Sequence, residues 1–281
     1  MNPRMLIAVV VGLVLVAFGG FYFALRPHTN TVVLPPALPP NQSATPSSAA
    51  VPPVVLPPPP PPPMATPASI EAEIALSEHA ELLAFLKMSL SADYDDLIAM
   101  AVRRRNEGVP DQVFGQELAE RVQAIMRGKL KYGVGASTAT IDRLAANEAS
   151  LFHALGTEGA PLCLKMLGKD DTPATTPTPE SVQRLMRLGT LYRFQAIAEG
   201  VPNMNPVGDL TADEMRAFEA SLAREGLNGR DVSSGAYLNK GGAEPGKPCL
   251  ILETLHLAIA RLGEGTRRKI YAGMFFLGRD K

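Results

Sequence analysis

From Met5 to Leu25 the chain runs 21 residues without a charged side chain, and a proline-rich tract starts at Pro27. As a helix rising 1.5 Å per residue, a run of that length reaches about 31 Å, the thickness of a bilayer's hydrocarbon layer. The proline tract that follows can form neither helix nor central strand, because proline lacks an amide donor and fixes φ. The pair predicts three parts: a transmembrane signal-anchor over residues 1–26, a disordered proline-rich linker over 27–67, and a soluble α-helical domain over 68–281.

A cleavable secretory signal has a shorter apolar core, about 7 to 15 residues, closed by a small-x-small site. Here the best cleavage point, after Ala24, places Tyr22 where a small residue is required. No cysteine stands near the end of the run to support a lipoprotein-type cut. The expectation is an uncleaved anchor, with the membrane engaged through Met5 to Leu25.

Orientation is less sharply encoded. Arg4 and the terminal amine flank one end of the run, Arg26 and His28 the other, so the positive-inside rule leans only slightly. The short N-terminal stub is the easier end to leave in the cytoplasm. Together with the cysteines discussed below, this predicts a single-pass inner-membrane protein whose body faces outward, which is the periplasm if the host is a Gram-negative bacterium. A cytoplasmic body on a reversed anchor is the competing arrangement.

Residues 27–67 hold 16 of the 26 prolines, including the unbroken run Pro57 to Pro63, and no acidic residue. Such a segment favours extended polyproline II at about 3.1 Å per residue, for a reach on the order of 100 Å. Asn41 to Ala50, rich in alanine, serine and threonine, supplies a softer joint. The segment reads as a tether with reach; docking of its proline motifs in an aromatic groove is the alternative.

With Arg4 and Arg26 set aside, the body carries 25 basic against 28 acidic side chains. That near-neutral mixture argues against a nucleic-acid partner, which demands a basic face. Tryptophan is absent, so sugar stacking gains no support.

Apolar spacing in the body is helical nearly throughout. Ile70, Ile74, Leu82, Leu83, Leu86 and Leu90 mark a first helix, and Tyr94 to Asn106 a second, stopped by Gly108 and Pro110. Phe114, Leu118, Val122, Ile125 and Met126 form a third stripe. Ile141, Leu144, Leu151, Phe152 and Leu155 form a fourth, expected to end at Gly156. Thr178-Pro179-Glu180 reads as cap, first-turn proline and favourable acid for a fifth, carrying Val182, Leu185, Met186, Tyr192 and Ile197.

Thr211-Ala212-Asp213-Glu214 is a capping box with Leu210 and Met215 as its hydrophobic staple, and Gly226 should close that sixth helix. A seventh follows Pro248, turning Leu252, Leu255, Ile259 and Leu262 inward, and an eighth starts near Thr266. No stretch alternates with period two. The predicted fold class is all-α, an irregular bundle of about eight helices, with long loops over Gly168–Thr178 and Leu227–Lys247.

Cys163 and Cys249 are the only cysteines. An even, minimal count in a chain leaving the cytoplasm predicts one disulfide. It closes a loop of about 86 residues, for which the chain-entropy model gives roughly 4 kcal/mol. Two buried thiols are the alternative. The absence of a C-x-x-C pattern argues against redox catalysis and structural zinc.

One ionisable residue, Glu148, lies on an apolar stripe, between Leu144, Ala145 and Phe152. A carboxyl there can have a raised pKa and donate a proton, as the acid of a helical muramidase or transglycosylase does. The glutamate-serine pattern of those enzymes is missing, since this chain reads Asn147-Glu148-Ala149-Ser150. A plain reading has Glu148 at the stripe's edge, reaching solvent or an arginine such as Arg184.

His79, His153 and His256 are scattered one per helix, with no i, i+4 pair to force a metal site. Ser137, in Gly135-Ala136-Ser137-Thr138-Ala139, lacks the second glycine of a nucleophile elbow and reads as a helix cap. Gly133 and Gly135 make no phosphate loop. The basic, amphipathic stretch Arg267-Arg268-Lys269, running on to Met274-Phe275-Phe276-Leu277, fits either a membrane surface or a last helix that closes the core.

No cofactor or metal is implied. The leading expectation is a non-enzymatic envelope protein whose helical body binds or scaffolds another protein. The alternatives are a periplasmic cell-wall hydrolase or transglycosylase using Glu148, and a small-ligand or lipid-binding bundle.

Overall fold

The computed structural model describes residues 64–158, 160–166, 178–203, 207–227 and 246–277. The expected anchor, the linker up to residue 63 and most of the two long loops lie outside them. Every regular element among the described residues is helical, and none of these helices is long and apolar enough to cross a membrane.

Among the described residues there are ten α-helices: α1 (Pro67–Ala75), α2 (Ala80–Ser89), α3 (Ser91–Asn106), α4 (Asp111–Lys129), α5 (Thr138–Thr157), α6 (Ala160–Met166), α7 (Glu180–Gly200), α8 (Ala212–Arg224), α9 (Lys247–Ala260) and α10 (Glu264–Ala272). A 3₁₀ turn, Leu130–Gly135, joins α4 to α5, and a wide π-type turn, Gly273–Leu277, follows α10.

Ten helices rather than eight arise from two local effects. The apolar stripe expected to run from Ile70 to Leu90 has no apolar residue at 77 or 78, where Ser77 and Glu78 stand. A continuous helix would turn these polar groups inward, so the chain breaks at Leu76–His79 and restarts at Ala80. The Ser77 hydroxyl donates to the Ile74 carbonyl at 2.8 Å, satisfying an end of α1. The second addition, α6, is only seven residues long, too short to print a periodic signal.

Helix starts follow capping chemistry. Pro67 opens α1 rather than closing the linker, because Thr66 and Ser69 form a reciprocal capping box ahead of it. The box at Thr211 and Glu214 forms as expected, and α8 gives way to a turn at Gly226. α7 starts one residue past the expected cap: Pro179 is the N-cap, and the Thr178 carbonyl accepts from Gln183 Nε2 at 2.7 Å.

The centre of the body is α5, which packs against α7 on one side and α9 on the other. Its stripe of Ile141, Leu144, Leu151, Phe152 and Leu155 is buried throughout. α5 ends at Thr157, one residue past Gly156. A Cβ on Gly156 would press into Leu250, so the glycine also admits α9 at close range.

The C-terminal stretch closes the core. Ile270, Tyr271, Met274, Phe275 and Phe276 are all buried. The three cations before them are engaged within the body. Arg267 grips Asp142 of α5 through two bonds of 2.8 and 2.7 Å, Arg268 donates to the Val134 and Ala136 carbonyls, and Lys269 pairs with Glu214 of α8 at 2.8 Å. Of the two readings of this stretch, core closure is the one that forms.

The tightest packing lies where α7 ends beneath the 3₁₀ turn. A Cβ on Gly200 would overlap the Tyr132 carbonyl oxygen, a backbone atom that cannot swing aside. Gly115 in α4 has open space around its Cα. Gly200→Ala is therefore expected to cost about 3 kcal/mol or to prevent folding. Gly115→Ala should stabilise the chain by about 0.5–1 kcal/mol through helix propensity. Chemical unfolding of the two variants separates close approach from mere helix preference, and equal effects would refute the assignment.

Candidate functional site

Glu148 is not at the edge of its stripe. It has no exposed surface, and its Oε1 pairs with an Nη of Arg193, itself 5% exposed, across the seam between α5 and α7. Arg184, the partner the sequence offered, stands exposed on α7. Beside the pair, Asn147 Nδ2 donates to the Leu185 carbonyl of α7 at 2.9 Å. Two consecutive side chains of α5 thus tie polar groups to the facing helix.

Gly189 makes room for this cluster. A Cβ there would stand 3.0 Å from Asn147 Nδ2 and 3.3 Å from an Arg193 Nη. Thr190, buried next to it, turns its hydroxyl back to the Met186 carbonyl at 3.1 Å. Glu148 Oε2 has no hydrogen-bond partner among the described residues, and neither has Gln195 Oε1. Burial pushes the Glu148 carboxyl above its ordinary range, and the Arg193 guanidinium opposes that rise.

The chemistry open to this arrangement follows from access. A general acid must touch the atom it protonates, and Glu148 is sealed between two helices. Its proton can reach a substrate only if α5 and α7 part. The pair as built is an internal tie.

Arg193 was legible but not read. Along α7 the core-facing places run Val182, Met186, Gly189, Arg193, Ile197 and Gly200, all buried. A cation on that stripe, set against an anion on the stripe of α5, is the signal that could have paired them.

The remaining candidates do not converge. His79 is the N-cap of α2. His153 is exposed on α5, its Nδ1 3.0 Å from a Glu253 carboxylate oxygen of α9. His256 is buried within a stack of Phe152, Tyr271 and Phe275, with ring centroids 5.6, 5.6 and 6.2 Å away. Among the described residues no group of three or more histidine, cysteine or acidic side chains stands close enough to hold a metal ion.

Ser137 caps α5, accepting from the Thr140 amide at 3.3 Å. Its own hydroxyl donates to Glu199 at 2.9 Å, and Thr140 donates to the same carboxylate at 2.6 Å. Burial, the largest single effect, raises the Glu199 carboxyl, but these bonds, the Ser137 amide and the Arg143 charge together hold it below its ordinary range. The carboxylate of α7 thus serves the positive end of the α5 dipole, a structural role.

Cys163 of α6 and Cys249 of α9 are brought to bonding distance, sulfur to sulfur 2.10 Å with Cα atoms 6.0 Å apart, and neither is exposed. The link spans the segment holding α7 and α8 and fastens the short α6 to the body's central layer.

Two predictions follow from the buried ionisable groups. Arg193→Met leaves Glu148 buried without its counter-charge, a change expected to cost about 3–5 kcal/mol at neutral pH. With the opposing cation gone, the folded-state pKa of Glu148 rises further above its unfolded value. The variant should therefore regain stability as pH falls and the carboxyl takes up a proton. The double variant Glu148→Leu, Arg193→Met should recover most of the loss. Urea unfolding at several pH values reads both effects, and additive single losses in the double variant would refute the pairing.

His256 works in the other direction. Burial pulls its pKa down to about 3 from the ordinary 6.5, and its Nδ1 has no hydrogen-bond partner among the described residues. Folding holds it neutral, so its contribution is whole above pH 6.5 and drains away as pH falls toward 3. At about 1.4 kcal/mol per pH unit the full effect is roughly 5 kcal/mol. His256→Leu should flatten that slope relative to the parent chain, whereas a parallel pair of curves would show that His256 titrates normally.

Comparison with known proteins leaves the geometry to speak alone: no family model, no curated protein and no solved structure matches this chain.

Proposed function

We propose that this chain is a membrane-anchored protein of the bacterial envelope whose helical body, held outside the cytoplasm, binds or scaffolds another protein without catalysing a reaction. The observation that carries the reading is the pairing of the chain's two cysteines. They lie 86 residues apart in sequence, on separate helices, and meet at bonding distance in the core. A bond of that kind persists in an oxidising compartment such as the periplasm.

Two further features support it. The uncharged run from Met5 to Leu25 has the length of a membrane span, and the prolines after it suit a spacer between bilayer and body. The burial of Glu148 and its commitment to Arg193 favour binding over hydrolysis, since they withdraw the one candidate acid from a substrate's reach.

The test is fractionation of cells making the full chain, combined with thiol labelling. The chain should stay with the inner membrane through alkaline extraction and be digested by protease added to spheroplasts. Both cysteines should resist alkylation under denaturing conditions until a reductant is added. Crosslinking in intact cells should then capture one protein reproducibly. A soluble chain, free thiols, or cell-wall hydrolysis abolished by Glu148→Gln would each overturn the proposal.

A further inference from the structure

The described body begins at α1, and α1 is held by a different kind of contact from the helices at the centre. It buries one side chain, Ile70, and packs chiefly against α2 and α3. α5 and α7 bury ten residues each. The capping box at Thr66 secures the helix's own first turn but adds nothing to its docking.

Beyond Ile70 and the partly buried Ala65 and Ile74 that pack against the core, the contacts that hold α1 down are polar and lie at the surface. Glu71 accepts from Lys87 Nζ at 2.8 Å and from the Tyr94 hydroxyl at 3.2 Å. Glu73 pairs with Arg105 of α3. Asn106, at the end of α3, brackets the chain entry: its Oδ1 accepts from the Ala65 amide at 2.7 Å and its Nδ2 donates to the Ala65 carbonyl at 3.1 Å. The side chains of Lys87, Glu71 and Glu73 are 56, 38 and 54% exposed, so dissolved ions screen these attractions.

A nine-residue helix also cannot persist by itself, since isolated helices below about 12 residues are marginal in water. Leaving the body and losing helicity are therefore a single event for α1.

We propose that α1 is a strap: a salt-sensitive unit that opens separately, releasing α2 and α3 while the rest of the body stays folded. Its place in the chain gives the opening a consequence. Any pull arriving from the N-terminal side reaches the Asn106 bracket first, before a large apolar contact bears load. Release lengthens the lead into the body, because the same residues advance about 3.3 Å each when extended against 1.5 Å in a helix. It also frees the Tyr94 hydroxyl and uncovers the side of α2 and α3 on which Ile70 rests. The strap is a property of the body and does not depend on the proposed anchor.

Hydrogen exchange followed by mass spectrometry, on the full chain in detergent at about 50 and 500 mM salt, tests this. Amides of α1 should exchange at least about 100-fold faster than those of α5 and α7, and α1 alone should accelerate several-fold in the higher salt. Asn106 is exposed, so Asn106→Ala leaves the fold intact; it should speed exchange in α1 about tenfold and leave α5 unchanged. Ile70→Ser should abolish protection in α1 with the same restriction to that helix.

Equal protection of α1 and α5 would overturn the strap, as would acceleration of both together in the variants. Fast exchange in α1 that ignores salt would overturn it too, because the ionic hold is what the proposal asserts.

Discussion

The seam between α5 and α7, with its buried Glu148 and Arg193, fixes how the rest of the body is arranged. Apolar stripes alone would let these long helices rotate or slide by a residue at modest cost, since leucine, isoleucine and methionine repack readily. A charge pair sealed from water tolerates no such shift. Turning α7 by one residue, about 100° around its axis, would carry Arg193 out of reach and leave a bare carboxyl in the core. Replacement by well-packed apolar groups often matches a buried pair in net stability. The stronger argument for the pair is therefore uniqueness of register. Asn147 and Gly189 fit that role, one adding a second polar tie and the other yielding the space.

From that seam outward the kind of contact changes. α9 and the C-terminal turn add apolar burial, including the stacked rings of His256, Tyr271 and Phe275. The next layer is joined by charge. Arg267 reaches Asp142, Lys269 reaches Glu214, and Arg104 reaches Glu117 between α3 and α4. At the rim, α1 has a single buried side chain and a set of exposed ties. Stability graded in this way places the loosest element where the chain enters the body and the most rigid at the centre. Opening of one end need not disturb the other.

Much of this was written in the sequence where one face of a helix faces one core. The stripes of α4, α5 and α9 were legible, as were the Thr211 capping box that starts α8 and the pairing of the two cysteines. The failures have physical causes. A stripe from Ile70 to Leu90 looks continuous until Ser77 and Glu78 are given a direction to point. α6 is too short for periodicity to declare it. Glu148 was visible as an anomaly on its stripe, but its partner lay 45 residues away, and spacing within one helix carries no information about the helix that faces it. Reading two anomalies of opposite charge as a single feature is what joins Glu148 to Arg193.

The two long-range links in the core act on opposite sides of the folding equilibrium. A bond between Cys163 and Cys249 would restrict the unfolded chain, raising its free energy by an amount that depends on the loop enclosed. The Glu148–Arg193 pair acts on the folded state, by penalising alternatives that leave either charge alone. Neither substitutes for the other. A chain with its sulfurs joined still needs the seam to choose a register, and a chain with the seam intact still has to hold α6, seven residues long, against α9. The segment between the cysteines contains α7, so a closed bridge would limit how far Arg193 can range from α5 in the unfolded chain, while the buried charges act only once the two helices meet.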